Sequence, residues 1–577
     1  MSGNNKKNVA VIGAGPSGLA AVKGLLEEGH QATCFEKSND LGGVYRYAPD
    51  SVGVYESAQL TSSARITSFS DFPPPPGSPF HFKHQEYFQY LHDYAGQFGL
   101  AAHIKLQHQV NSVERLEDGT WRLKVLNMAG QKEEQYIFDA VAVCAGVHQK
   151  AVIPDIADQE IFKGKILHSG YYKVPGPFQG QNVVVVGGGE SGSDIIEEVS
   201  RVAKSCSVSL RRGILVIPRL VFGVPNDYYV SRLFDASPQW FLKQGHKGGI
   251  HWPTILVISL FISASFGILI FIFKSLSGLS LANSQLAKIG FYGFALYFLV
   301  KNLHHQYGHI GLKESAVIGR LFKLSRAGRC QQFATKCEGI ARAIARKQCS
   351  LKPGIQRFTA TGVEFTDGTG CEADTVIFCT GYVITYPFLA IDRLDCRELY
   401  KNCFDPSLGP TLCFLGLARP AVGAIPPISE MQARWFAQIV SGKCHLPVPE
   451  KMKLEIAKDA GFHKDFFAVN SDRITGLVDF LSYMDQLAEL AGCKPRWKDV
   501  WMDPVLVFRL YFNPFMACQF RLAGPHRKRE LARKTMTSVP IGFFQVLSNG
   551  ILLGFGTISE ILYRLGFKYF KPHVRLD

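Results

Sequence analysis

The chain has 577 residues, 47% of them hydrophobic, and carries 63 Lys+Arg against 48 Asp+Glu for a formal charge of +15. That length allows two or three domains, and that composition excludes a disordered chain. The basic excess suits a membrane surface or a phosphate-rich cofactor, and with no RRM, helix-turn-helix or zinc-finger pattern nucleic acid ranks last. The 14 cysteines form no C-x-x-C pair, and the amino terminus runs into a strand without a cleavable signal peptide, so reduced thiols in the cytosol are expected.

The first predicted unit is strand, tight turn, helix. "VAVI" (9–12) is a short apolar run of the kind buried on both faces of a sheet. Gly13, Gly15 and Gly18 follow, then the helical spacing of "LAAVKGLLEEG". Gly13 permits the turn, Gly15 lets backbone amides approach a pyrophosphate, and Gly18 lets helix and strand pack closely. The next strand ends in Glu36, placed to accept hydrogen bonds from the ribose hydroxyls of an unphosphorylated adenosine. Gly42 and Gly43 in "LGGVY" suit a second close backbone approach to the same ligand, with an ordinary turn as the plain alternative.

The device returns at 182–194, "NVVVVGGGESGSD", with Gly187, Gly189 and Gly192 in the same spacing. Downstream the acid is missing: "SVSLRRG" puts Arg211 and Arg212 in that region. A carboxylate there would repel a ribose 2′-phosphate, whereas a guanidinium binds it bidentately; the alternative is a solvated strand end. The two loops therefore suit different ligands, FAD at the first and NADPH at the second, the parts for passing a hydride from nicotinamide to flavin.

Three uncharged or nearly uncharged stretches bear on membranes. Residues 254–273 and 539–558 are each 20 uncharged residues, long enough to cross a hydrocarbon core of roughly 30 Å, and 281–300 is a third apolar run broken by Lys288. Pro540, Gln545 and Asn549 weaken the stretch at 539–558, for which a buried core helix is the alternative. Because sequence on both sides of the insertion must complete one domain, the chain crosses the bilayer an even number of times or lies flat in the interface. Lys243, Lys247 and Lys301 flank a helical hairpin in the sense expected for a cytosolic side. Basic "GPHRKRELARK" before residue 539 suits anionic lipid.

Between the loops, "FKGKILHSGYY" carries Phe162, Gly164, His168 and Tyr172, which match the F-x-G-x-x-x-H-x-x-x-[YF] fingerprint of the flavin-containing monooxygenases. The chain also resembles that family at "FSDFP" (69–73), "YAGQFGL" (94–100), "VEFTDGT" (363–369) with "DTVIFCTGY" (374–382), "ISEMQARW" (428–435) and "CQFRLAGP" (518–525), in the family's order and over nearly the whole length. The resemblance implies an FAD- and NADPH-dependent monooxygenase like the N,N-dimethylaniline monooxygenases. In such enzymes NADPH reduces FAD, dioxygen adds to give a C4a-hydroperoxyflavin, and the distal oxygen passes to a soft nitrogen or sulfur nucleophile. It also implies a membrane-associated protein, by analogy at the endoplasmic reticulum with its catalytic part in the cytosol. No metal site and no acid–base constellation is needed. His168 and Tyr172, read alone, are packing residues of a linker.

The chain departs from the family in three places. Counting from Tyr55 and from Asp71, Thr61 stands where the family has an Asn expected to hydrogen-bond near the flavin and its oxygen adduct; Thr keeps a hydroxyl and loses the amide's second donor. The insertion at 219–311 is enlarged. The N-D-x-L-P-like element of animal members is absent around "RCQQFATKCEGIARAIARKQCSLKPGI".

The fold expected is α/β, with two nested Rossmann-like dinucleotide-binding domains, a hydrophobic membrane-associating insertion and a carboxy-terminal tail. FAD is assigned to 1–165 plus 346–450, NADPH to 166–345 including the insertion, and 451–577 forms a carboxy-terminal region with the apolar tail. Expected partners are a small nucleophilic substrate, O2 and membrane lipid, with a homo-oligomer open and no nucleic acid. Two rivals stand: an NADPH oxidase that releases hydrogen peroxide, and a membrane-bound pseudoenzyme scaffold. A disulfide reductase is discounted for want of a redox cysteine pair near the flavin.

Overall fold

The computed structural model describes residues 6–49, 52–221, 223–235, 312–325, 334–466 and 475–541, with Val546, Asn549, Gly550 and Arg564 beyond. Two five-stranded parallel sheets organise it. In the first, β1 (Asn8–Ile12) lies between β2 (Gln31–Glu36) and β4 (Ala140–Val143), with β3 (Ile104–Leu106) outside β2 and β10 (Leu412–Phe414) outside β4. Val9, Ala10 and Val11 are fully buried, as expected of a strand covered on both faces. Helix α1 (Pro16–Glu27) crosses from β1 to β2.

The second sheet repeats the plan. Its central strand β6 (Asn182–Val186) lies between β7 (Ser205–Ser209) and β9 (Thr375–Phe378), flanked by β8 (Ser350–Lys352) and β5 (Lys165–His168). Helix α2 (Glu190–Val199) makes the crossover from β6 to β7. In both sheets the glycine loop leaves the carboxyl end of the central strand, the edge at which open α/β sheets bind their ligands.

The nesting is as expected, but the strands divide differently from the domain limits drawn on sequence. Residues 350–352 and 375–378 pair in the second sheet, so the chain returns to the first only at β10. A short strand run hides in "KQCSLK" beside many polar residues, which gave no periodicity to read. The beginning of the insertion also belongs elsewhere. Arg232 makes a bidentate pair with Asp485 at 2.9 and 3.0 Å, and Phe515 N–H donates to Val230 O, so the stretch from Val230 packs on the carboxy-terminal region.

Helix α3 (Ile425–Val440) lies on α1, with Gly24 facing the Ala433 backbone. Among the described residues no helix is long and apolar enough to cross a membrane. The stretches at 254–273 and 281–300, and most of 539–558, lie outside the described residues. The described cysteines are all free thiols.

Candidate functional site: two glycine loops facing one seam

The first loop is built by contact. Gly13 sits at φ +100°, and a Cβ on it would lie 2.8 Å from Cys144 O; a Cβ on Gly18 would lie 1.8 Å from Gly13 O. Only glycine fits either place. Gly15 faces Gly43, whose own Cβ would come within 3.0 Å of Gly15 Cα, and Gly42 N–H donates to Ala14 O at 2.9 Å. The paired glycines of "LGGVY" therefore pack on the first loop. Glu36 is buried at the end of β2, accepting hydrogen bonds from Ala14 N and Ser38 N, both at 2.8 Å. Each carboxylate oxygen keeps a second lone pair for a ribose hydroxyl, so the residues fit the adenosine half of FAD.

The second loop has the same geometry with a different charge. Gly187 sits at φ +107°, its Cβ position 2.6 Å from Cys379 O, and a Cβ on Gly192 would be 2.3 Å from Gly187 O. Gly189, immediately before α2, has open space where a Cβ would point, which fits a pyrophosphate at the helix amino terminus. The register locates the missing acid. Ile12 pairs with Phe35 and Val186 with Ser209, so Leu210 occupies the place of Glu36, with Arg211 and Arg212 next and exposed.

The fingerprint residues close the seam between the sheets. His168 Nδ1 accepts from Gly170 N–H at 3.1 Å and Nε2 lies 3.0 Å from Gly381 O, an arrangement of the neutral ring with its proton on Nε2. Burial lowers the His168 pKa in agreement. Tyr172 donates to Glu198 at 2.6 Å and packs edge-on against Tyr55. These are positioning contacts, the plainer of the two readings. The His168 and His148 rings both pack edge-on against Tyr382, at 4.9 and 4.8 Å.

Sequence reasoning missed a polar knot at the same seam. Tyr55 donates to Asp194 Oδ2 at 2.5 Å, Arg219 Nη2 reaches the same carboxylate at 3.3 Å, and Cys337 Sγ donates to its other oxygen. Beside it, buried Lys336 sits 3.2 Å from Glu190, the first residue of α2, and 3.4 Å from Ala421 O. Its charge offsets a carboxylate that would otherwise oppose a pyrophosphate at that helix end. Lys336 and Cys337 fall within the segment that departs from the family's N-D-x-L-P element. Asp194, within "SGSDIIEE", reads as the solvated face of a helix, so nothing in sequence marked it.

Thr61 is half-buried on the loop that leads from Tyr55. Leu60 N–H donates to Phe82 O, Ser62 and Thr67 hydroxyls lie 2.7 Å apart, and Ser63 N–H donates to Asp227 Oδ2 at 2.7 Å, so both sides of Thr61 are fixed.

Three of the motifs quoted above meet in one buried ion cluster. Arg521 of "CQFRLAGP" lies 3.0 Å from Glu430 of "ISEMQARW" and 3.3 Å from Asp71 of "FSDFP"; Lys23 of α1 lies 2.7 Å from Asp71 and Lys528 2.6 Å. Among the described residues no group of three or more His, Cys, Asp or Glu could hold a metal.

The flavin-binding monooxygenase-like family profile matches residues 6–245 and 323–546. The chain is 35% identical, over 93% of each chain, to a 4-hydroxybenzoate brominase (decarboxylating) of Marinomonas mediterranea. It is 33% identical to flavin-containing monooxygenase 5 of Oryctolagus cuniculus, over 92% of each. Among solved structures it is similar to the S-allyl-L-cysteine S-oxygenase of Allium sativum, with a TM-score of 0.58 at 22% identity, over 92% of this chain and 99% of that one. The cyclohexanone monooxygenase of Rhodococcus sp. Phi1 bound to NADP+ gives 0.54 at 18%, over 84% and 97%.

Proposed function

Because this chain belongs to the flavin-binding monooxygenase-like family and uses FAD and NADPH, we propose that it oxygenates a small soft nucleophile, at nitrogen or sulfur. The observation that carries the proposal is the pair of glycine loops of unlike charge, Glu36 at one and Arg211 with Arg212 at the other, in two sheets whose surroundings are tied together by the Tyr55–Asp194 hydrogen bond. Bound FAD, reduced by NADPH, supplies the activation of dioxygen; the protein's part is to hold the two cofactors and keep water out. Gly13, Gly15, Gly18, Glu36, Gly42 and Gly43 would hold FAD, and Gly187, Gly189, Gly192, Arg211 and Arg212 would hold NADPH. Thr61 stands beside the oxygen chemistry on this reading.

Rapid mixing of the NADPH-reduced protein with oxygen tests it. Oxidised-flavin absorbance should return only after a lag that a tertiary amine or a sulfide shortens. Immediate return with one peroxide per NADPH would favour the oxidase reading, and a colourless purified protein the scaffold. A second reading rests on the similarity to the Marinomonas protein: 4-hydroxybenzoate with bromide, added in the same experiment, should yield a brominated phenol if it holds, and unchanged 4-hydroxybenzoate counts against it.

We further propose that the chain works at a membrane surface. Trp497, Trp501, Met502 and Val505 are exposed along 497–505, beside exposed Arg496, Lys498 and Lys534. Tryptophan anchors at the headgroup level and basic residues at anionic lipid are the pattern expected there. Replacing both tryptophans by alanine should reduce co-flotation with anionic vesicles several-fold; undiminished flotation would remove this face from the reading.

A further inference from the structure

The net reaction of either an oxygenase or an oxidase of this kind takes up one proton. Substrate, NADPH, H+ and O2 give oxygenated substrate, NADP+ and water; without substrate, NADPH, H+ and O2 give NADP+ and H2O2. The hydride supplies one hydrogen of the product and solvent must supply the other, into a site built to exclude water. A buried protein carboxyl beside the oxygen chemistry would give that proton a local source.

Asp227 has the place for it. It is buried in the turn "PNDYY", and its Oδ2 accepts the Ser63 N–H that fixes the loop two residues from Thr61. Its Oδ1 is buried and has no hydrogen-bond partner among the described residues. An ionised carboxylate with one oxygen orphaned in a buried site is costly, whereas a protonated one carries a donor for whatever enters. The groups facing it are Ser63 from the Thr61 loop, the adjoining Tyr228, whose own phenol lies near Arg65, and Lys336, which ties Glu190 of α2 to Ala421 O. The carboxyl thus stands between the loop carrying Thr61 and the cation at the second glycine loop.

We propose that Asp227 positions the Thr61–Ser63 loop and holds the proton that the oxygen-reducing step consumes: its O–H bond breaks as an O–H bond forms on the departing oxygen, and solvent reprotonates the carboxylate between turnovers. The electrostatics agree. Burial pushes the Asp227 carboxyl up to about 6, with the Ser63 N–H and Lys336 opposing. The group is then protonated in the folded protein where an ordinary carboxyl, near 3.9, is not. The proton-bearing form is present below pH 6 and is lost as pH rises through it.

The inference rests on the flavin reading, and two measurements separate their failures. Infrared titration of the purified holoprotein should show a protonated-carboxyl band that fades as pH rises through about 6 and that is absent in Asp227→Asn. This readout needs no turnover. In rapid mixing, the return of oxidised flavin in the wild type should slow as pH rises through the same window. Asp227→Asn should be about 100-fold slower and flat with pH, and Asp227→Glu should restore a titrating profile. A wild type without a titrating carboxyl band, or an Asp227→Asn profile parallel to the wild type, overturns the proposal. Should Asp227→Asn not fold, the wild-type band and the Asp227→Glu profile decide by the same criteria. Absence of any oxygen-dependent step in the wild type would sink the monooxygenase reading and leave the band to judge Asp227.

Discussion

Arg521→Met is expected to destabilise the protein by about 3–5 kcal/mol and lower its melting temperature by roughly 10 °C. Arg521 and Asp71 have no exposed side-chain surface, and Arg521 also donates to Ser70 Oγ and His526 O. Removing the guanidinium leaves Glu430 and Asp71 buried with less opposing charge. Methionine matches the volume, so the loss reads as uncompensated charge more than as a cavity. The pH dependence has a definite sign. Burial raises the Asp71 carboxyl, but Arg521 and Lys23 outweigh it and hold the pKa below the ordinary carboxylate value. A depressed carboxyl stabilises the fold above its unfolded pKa and loses that contribution as pH falls. The gap between wild type and variant should therefore be full above about pH 4 and narrow below it, as followed by circular dichroism melts. A gap that widens in acid would refute the assignment.

This cluster also shows what the sequence could and could not disclose. Both glycine loops were legible because their function is backbone geometry: a strand, three glycines at fixed spacing and a helix leave a local imprint, and the register confirms that Arg211 follows the position matching Glu36. "FSDFP", "ISEMQARW" and "CQFRLAGP" were legible as family marks but not as a cluster, since 451 residues separate Ser70 from Arg521 and no local pattern joins them. Asp227 and Asp194 were invisible for the opposite reason. Each sits in an ordinary polar context, a turn and an amphipathic helix; burial marks Asp227, and long-range partners, Tyr55, Arg219 and Cys337, mark Asp194. The domain limit drawn at 346 put residues 350–352 and 375–378 with the first loop's domain, whereas they pair in the second sheet, because pairing partners, unlike strand propensity, are set by the tertiary fold.

The departures from the family gain meaning from the same geometry. Where animal members carry N-D-x-L-P, this chain places Lys336 against Glu190 and Cys337 against Asp194, so the segment still ties the second loop to its surroundings by other chemistry. At Thr61 the loop is fixed on both sides, by Phe82 and by Asp227.

The account depends on electrons passing from a phosphorylated nicotinamide cofactor at the second loop to a flavin at the first, and anaerobic reduction of the bound flavin tests that step directly. Stopped-flow bleaching by NADPH and by NADH is compared in the wild type and in the Arg211→Ala/Arg212→Ala variant. Loss of charged hydrogen bonds to the 2′-phosphate, at about 1.5–3 kcal/mol, should raise the NADPH concentration for half-maximal bleaching about 10- to 100-fold. The NADH requirement should stay within about twofold. Equal shifts for both nucleotides, or a wild-type flavin that neither nucleotide bleaches, would contradict it.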